Sequence, residues 1–351
     1  MTVEREAGSL SPASGGTRRW TILQQLLLSP ELTAVAGTIA VFAFFAINAG
    51  HSGFLTFAGT RNYLEVAAEI GIIAVPVTLL LIAGEFDLSV GVMVGATGVV
   101  IAYCVTSLGW PLWASLVAGL CLAALIATIN ALVVVWMGIP SFLVTLASMF
   151  IIKGATLAGT MLALQTTQIF QIKEALAGDW LLPLFGSSVW GLNVSIAWWV
   201  GLSVLAAYVL GNTRFGNWIY ASGGDREAAL KMGVPVNAVK ITLYIATSMS
   251  AALVATLSMM LVNQMEAGQG EGKEFEAVTA AVIGGAAIGG GFGSPIGTLF
   301  GALMFGMVSQ GFFYTSIDDN WFYAFVGAIL LAAVAINKYV RQAASRPGRR
   351  S

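Results

Sequence analysis

One stretch of this 351-residue chain gathers carboxylates and a hydroxyl at what reads as a helix start: Glu85-Phe86-Asp87-Leu88-Ser89-Val90-Gly91. Asp87 or Ser89 can cap the helix that follows, where the positive helix end favours an anion. In an apolar segment the same groups, with Glu69, could instead hold a coupling ion. Gly91 and Gly95 are spaced for close approach of a second helix. Lys153 is the other anomaly, a basic residue well inside an apolar run. Its charge is expected to face the bundle interior, a polar cavity or water rather than acyl chains. Beyond these residues little chemistry can be assembled. His51 is the only histidine, so neither a Ser/His/Asp set nor a Cys/His metal cluster can be built. Cys104 and Cys121 lie in apolar runs with no basic neighbour and read as small packing residues. The string Gly270-Glu271-Gly272-Lys273-Glu274 lacks the spacing and the Ser/Thr of a phosphate-binding loop. The chain is therefore expected to be no enzyme and to carry no metal or cofactor.

The elements that must position these residues follow from composition. The chain is 58% apolar and 9% charged, against about 25% charged residues in soluble domains. That balance excludes a soluble globule, a secreted disulfide scaffold and a nucleic-acid-binding module. With a mean hydropathy of +0.85, the reading is an all-α polytopic membrane protein whose first partner is the lipid bilayer. Apolar runs place about ten spans, near 33–49, 64–84, 87–108, 112–137, 140–161, 192–211, 239–261, 276–293, 295–314 and 321–338. The third and eighth are glycine-rich and candidates for broken or re-entrant helices. Residues 1–30 are polar, lack an apolar core followed by a cleavage site, and read as a cytoplasmic tail. Residues 31–338 form the transmembrane domain and 339–351 a second cytoplasmic tail.

Basic residues test that topology. Arg5, Arg18 and Arg19 lie in the first tail. Arg214, Arg226, Lys231 and Lys240 lie in the loop after the sixth span or at the base of the seventh. Lys338, Arg341, Arg346, Arg349 and Arg350 lie at the C-terminal end. Together they are most of the 16 basic residues, all on one face, which the positive-inside rule makes cytoplasmic. The opposite face receives mainly acids: Glu65, Glu174, Asp179, Glu266, Glu271, Glu274, Glu276, Asp318 and Asp319.

Small residues recur at every fourth position from Ala277 through Ala281, Gly285, Gly289, Gly293, Gly297 and Gly301. Such rows read as close helix packing, and the sharper reading places some at a subunit interface or along a path. Pro295 interrupts the row and should begin a new helix. The segments Gly84–Gly91 and Gly289–Pro295 resemble each other weakly. If spans 2–5 match spans 7–10, the odd offset makes the repeat inverted, as in many transporters.

The loop from Arg214 to Pro235 holds a short helix outside the membrane. Asp225 can cap it, Ala228 to Lys231 favour it, and Gly233 with Pro235 stops it. Within it, Glu227, Ala228, Ala229 and Gly233 form Glu-Ala-Ala-x-x-x-Gly. This pattern resembles the loop by which bacterial ATP-binding cassette importer permeases dock their ATPase subunits. The Asp87-Leu88-Ser89-Val90-Gly91 string is similar to a signature of the ribose-type sugar permeases, relatives of the branched-chain amino-acid permeases. Ile139–Leu146 and the run from Ala280 to Gly285 fit the same family, so the resemblance covers about 64–338. Lys153 departs from it, standing where these permeases usually carry arginine.

The resemblance implies a permease subunit in the bacterial inner membrane with both termini cytoplasmic. It implies pairing with a second permease subunit, identical or homologous. An ABC ATPase would bind inside and a periplasmic solute-binding protein outside, and the cargo would be a monosaccharide or similar small polar solute. Asp225, Glu227, Ala228, Ala229 and Gly233 would then form the coupling loop. Glu85, Asp87, Ser89, Gly91 and Lys153 would belong to a helix break or to the path. The alternative is an ion-coupled secondary transporter using Glu69, Glu85 and Asp87.

Overall fold

The computed structural model describes residues 30–315, 318 and 321–345. Residues 1–29 of the first expected tail and 346–351 of the second, with Arg5, Arg18, Arg19, Arg346, Arg349 and Arg350, lie outside them, as do Asp319 and the side chains of Lys338 and Arg341. The chain folds as α1 (Pro30–Ala49), α2 (Phe57–Ile82), α3 (Val90–Thr106), α4 (Leu112–Met137), α5 (Ser141–Leu164), α6 (Ile172–Ala175), α7 (Leu182–Gly186), α8 (Val194–Asn212), α9 (Arg214–Gly224), α10 (Arg226–Lys231), α11 (Val236–Val262), α12 (Lys273–Ile283), α13 (Pro295–Phe313) and α14 (Phe322–Ser345). Two antiparallel scraps of strand complete it: β1 (Gln168–Phe170) pairs with β4 (Gln264–Glu266), and β2 (Ser188–Val189) with β3 (Leu192–Asn193).

Among the described residues, 7 helices are long and apolar enough to cross a bilayer. They correspond to the first, second, fourth, fifth, sixth, seventh and ninth expected spans. The third is the shorter apolar helix α3, and the tenth is α14, whose apolar stretch is Ala324–Ala335. That helix continues to Ser345, past the expected boundary at 338.

The eighth expected span, 276–293, is corrected. Helix α12 stops at Ile283, and residues 284–294 form a glycine-rich turn. Gly285, Gly290 and Gly291 have positive φ there, a backbone that ends a helix instead of extending it. The small-residue row therefore does not run down one helix. Gly285 and Gly289 lie in the turn, and a Cβ on Gly289 would meet nothing within 4 Å, so it serves no close packing. Gly297 and Gly301, on α13, do face α12: Cβ atoms there would fall 2.0 Å from the Gly284 carbonyl and 2.1 Å from the Ala280 carbonyl. Gly293 instead abuts the Ile82 side chain.

Helices α2 and α11 form the core, and their inner stretches are closed on nearly every side. The packing around them is reciprocal. α2 packs on α13 as α11 packs on α4, α12 lies on α2 as α3 lies on α11, and α2 meets α11 at the centre. That exchange is the pattern expected if spans 2–5 and 7–10 are copies. The equivalence from Gly84–Gly91 to Gly289–Pro295 is corrected, however. Each copy has a long core helix, a non-helical stretch and then a helix too short to span fully. Residues 83–89 precede α3, and residues 263–272 precede α12. The 11 residues of α12 reach only about 16 Å at 1.5 Å per residue, roughly half of a ~30 Å hydrocarbon core.

Candidate functional site

The first break, 83–89, is held by side chains from three helices. Ser89 donates both its N–H and its hydroxyl to Asp87 Oδ1, at 3.0 and 2.6 Å. The Thr247 hydroxyl of α11 donates to Asp87 Oδ2 at 2.7 Å. Asn130 Nδ2 of α4 donates to the Ser89 hydroxyl at 3.1 Å. The Phe86 N–H donates to Ser141 Oγ at the start of α5, and the Tyr244 hydroxyl donates to the Phe86 carbonyl, both at 3.0 Å. These bonds satisfy backbone that a broken helix leaves open. Glu85 forms a buried ion pair with Lys240. Lys240, expected at the base of the seventh span, is thus buried with a counter-charge. A lysine entering a core helix needs a counter-charge, and the break supplies it.

The second break, 263–272, is held in a comparable way. Lys273, at the start of α12, reaches back to Glu69 of α2 at 2.9 Å, much as the first break is tied to Thr247 of α11. Glu274 Oε2 accepts from the Gly272 N–H at 3.1 Å. The starts of the two short helices abut, since a Cβ on Gly91 would lie 1.8 Å from Glu274 Oε2 and 2.8 Å from the Gly270 carbonyl. Two positive helix ends so close each need a local carboxylate, and Asp87 and Glu274 are placed to serve. Lys153 of α5 pairs with Glu271 at 2.5 Å, with their side chains 37% and 55% exposed. It is thus tied to a carboxylate of the opposite half. Of the carboxylates that an ion-coupled reading would use, Glu69 and Glu85 are paired with lysines, and Asp87 already accepts three hydrogen bonds.

The loop side is built on two caps. Thr213 Oγ1 accepts from the Gly216 N–H at 3.1 Å to start α9, and Asp225 Oδ1 accepts from the Ala228 N–H at 3.0 Å to start α10. Gly233 follows α10 at φ +79°, with open space around it, so its role is backbone conformation. Arg226, Glu227, Ala228, Leu230, Lys231 and Met232 are exposed. Ala229 is not. It is 4% exposed, packed against its own chain, so among the five coupling-loop residues it does not lie on the exposed face of α10. The far end of α9 wedges between the first break and the 284–294 turn. The Gly291 N–H donates to the Ile82 carbonyl at 2.7 Å, and the Tyr220 hydroxyl donates to the Gly293 carbonyl at 3.1 Å. A Cβ on Gly223 would fall 1.8 Å from that Ile82 carbonyl. Burial of the Tyr220 phenol pushes its pKa up.

Sequence reasoning did not assign Asn130, Ser141, Thr247, Tyr244, Lys240 or Gly223 to this site. Of these, Lys240 alone carried a signal: a lysine 4 residues into a helix with an unassigned glutamate elsewhere. On the side of the bundle opposite the loop, Arg61 lies 3.7 Å from Glu65 and Lys273 is paired with Glu69.

Residues 59–334 match the family described as branched-chain amino acid transport system / permease component. The fructose import permease protein FrcC of Rhizobium meliloti is 31% identical over 333 residues, 93% of this chain and 91% of that one. The xylose transport system permease protein XylH of Escherichia coli K12 is 30% identical, covering 92% and 94%. The ribose import permease protein RbsC of the same strain is 28% identical, covering 91% and 96%. No solved structure matches the chain. With a bundle of apolar helices, two repeat-related breaks and a family match spanning both, the chain belongs to the multi-pass permease components of this transport family.

Proposed function

We propose that this chain is the permease subunit of an ATP-driven importer that carries a monosaccharide or similar small polyhydroxylated solute across the bacterial inner membrane. It works with a second permease subunit, an ATPase on the loop side and a solute-binding protein on the opposite face. The tails 1–30 and 339–351 are cytoplasmic. The names of the fructose, xylose and ribose relatives support the substrate class.

One observation carries the mechanism. The exposed helix α10 is joined to α9 through Asp225 alone, and the end of α9 touches both the Ile82 carbonyl and the 284–294 turn. A partner that moves α10 moves parts of both repeats together. Glu85, Asp87 and Ser89 hold the break and do not bind a coupling ion.

The test is ATP-dependent uptake in proteoliposomes containing the permease, ATPase and binding protein, alongside co-purification of the ATPase. Gly233→Val forces a β-branched residue to positive φ, and Ala228→Asp places a charge on the exposed face of α10. Both should leave the spans inserted and weaken ATPase association or uptake. Unchanged association and uptake in both, or uptake by the unaltered chain driven by an ion gradient without ATP, would overturn the reading.

A further inference from the structure

The least covered of the long helices is α5, with 11% of its apolar window buried, and it carries Lys153 half-way along. The Lys153–Glu271 pair is exposed on both sides of the contact. On Glu271's side the backbone from Asn263 to Gly272 is non-helical throughout, with β4 its only regular element, and Glu266 and Glu271 are exposed. Lipid tolerates neither feature. Irregular backbone at membrane depth must be lined by protein or water, and an ionised pair there must face a cavity or another polar group. The first break presents the opposite arrangement, with Glu85, Lys240 and Asp87 all buried. A buried pair serves architecture, whereas an exposed pair between two repeats can open.

We propose that Lys153 and Glu271 lie across the solute's path and close it by pairing with each other. The pair separates as solute passes, its ammonium and carboxylate exchanging their mutual contact for the hydroxyl groups of the cargo. Lys153 supplies donors and Glu271 acceptors, a combination suited to a polyhydroxylated solute. The pair also joins the middle of α5 to the segment leading into α12, so its separation frees the two repeats to move apart at this level. This inference rests on the importer reading above.

The test begins with a chain in which Cys104 and Cys121 are replaced by alanine, chosen for ATP-dependent uptake in the reconstituted complex. Failure of the unaltered complex to take up solute with ATP would count against the importer reading itself. Into this background Lys153→Cys and Glu271→Cys are introduced together and bridged with a reducible bifunctional methanethiosulfonate. Bridging should abolish uptake, reduction should restore it, and ATPase association should survive throughout. Lys153→Cys alone should react with a charged, membrane-impermeant thiosulfonate. Uptake that persists when bridging is complete would overturn the proposal. So would a Lys153→Cys thiol closed to the charged reagent, as lipid or a second copy covering the pair would make it. Should the double cysteine chain fail to fold, the exchange Lys153→Glu with Glu271→Lys decides. Uptake retained in the exchange and lost in each single reversal supports the pair, and loss in the exchange with normal assembly overturns it.

Discussion

The two breaks do similar structural work with opposite exposure. Residues 83–89 are enclosed: Glu85 meets Lys240 with about a tenth of each side chain exposed, and Asp87 accepts three hydrogen bonds inside the bundle. Residues 263–272 lie open on one side, where Glu271 meets Lys153. In the closed break the ion pair is largely buried, and separating it would leave a poorly solvated charge. In the open one either partner can be solvated, so the pair contributes little to holding the fold. Repetition of a motif thus does not repeat its energetics. One copy has become a fixed joint, and the other a place where charge meets a polar medium.

The largest effect expected from this difference is at Lys240. Lys240→Ala strands Glu85 in the core and should destabilise the purified protein by about 3–5 kcal/mol. Lys153→Ala should cost at most about 1 kcal/mol. Thermal unfolding in a single detergent compares the two directly, and equal losses would erase the distinction between the breaks.

The next effect lies where the breaks meet. A Cβ on Gly91 would stand 1.8 Å from Glu274 Oε2, and that carboxylate is itself anchored to the Gly272 N–H. Gly91→Ala should therefore destabilise by about 1–3 kcal/mol, as overpacking does. Gly159→Ala, on α5 with nothing within 4 Å, should be neutral or slightly stabilising in the same unfolding measurement, since alanine is the better helix former. Stability unchanged by Gly91→Ala would mean that the two half-helix starts do not press on each other.

Much of this fold was legible because its signals are local. Long apolar runs located the core helices, and Asp225, Gly233 and Pro235 delimited α10. Asp87 and Ser89 marked a helix start in so many letters. The far end of α12 was misplaced because hydropathy does not register a break made of glycine and alanine, which are as apolar as the helix they interrupt; the glycines themselves had marked this span as a candidate for a broken helix. The second break was missed for a related reason. Its residues, Gly268-Gln269-Gly270-Glu271-Gly272, read as an ordinary polar turn, and only the packing of Gly91 on Glu274 reveals that they descend into the bundle. The pairing of Lys240 with Glu85 depends on a partner 155 residues away. No periodicity within one helix encodes such a choice.

The smallest effect concerns how the open break is fastened at its outer end. Asn263, in a left-handed conformation at the end of α11, accepts from the Lys173 N–H at 2.8 Å and donates to both Glu174 oxygens at 3.0 Å. The amide, favouring the charged form, holds the Glu174 carboxyl below its ordinary value of 4.5. A carboxyl whose pKa is lower folded than unfolded stabilises the fold above its unfolded value, and that contribution fades as pH falls through the lowered folded value. Asn263→Gly keeps the backbone conformation and removes the amide. Above about pH 5 it should lose a small increment of stability, because Glu174 is fully exposed and screened by water. Towards pH 3 the difference between the two proteins should shrink, as protonation removes in the parent what the substitution removed in the variant. Thermal unfolding across that range reads it out. A difference that stayed constant with pH would mean that Asn263 acts only through the Lys173 N–H, and that the Glu174 carboxylate adds nothing to the fastening of the open break.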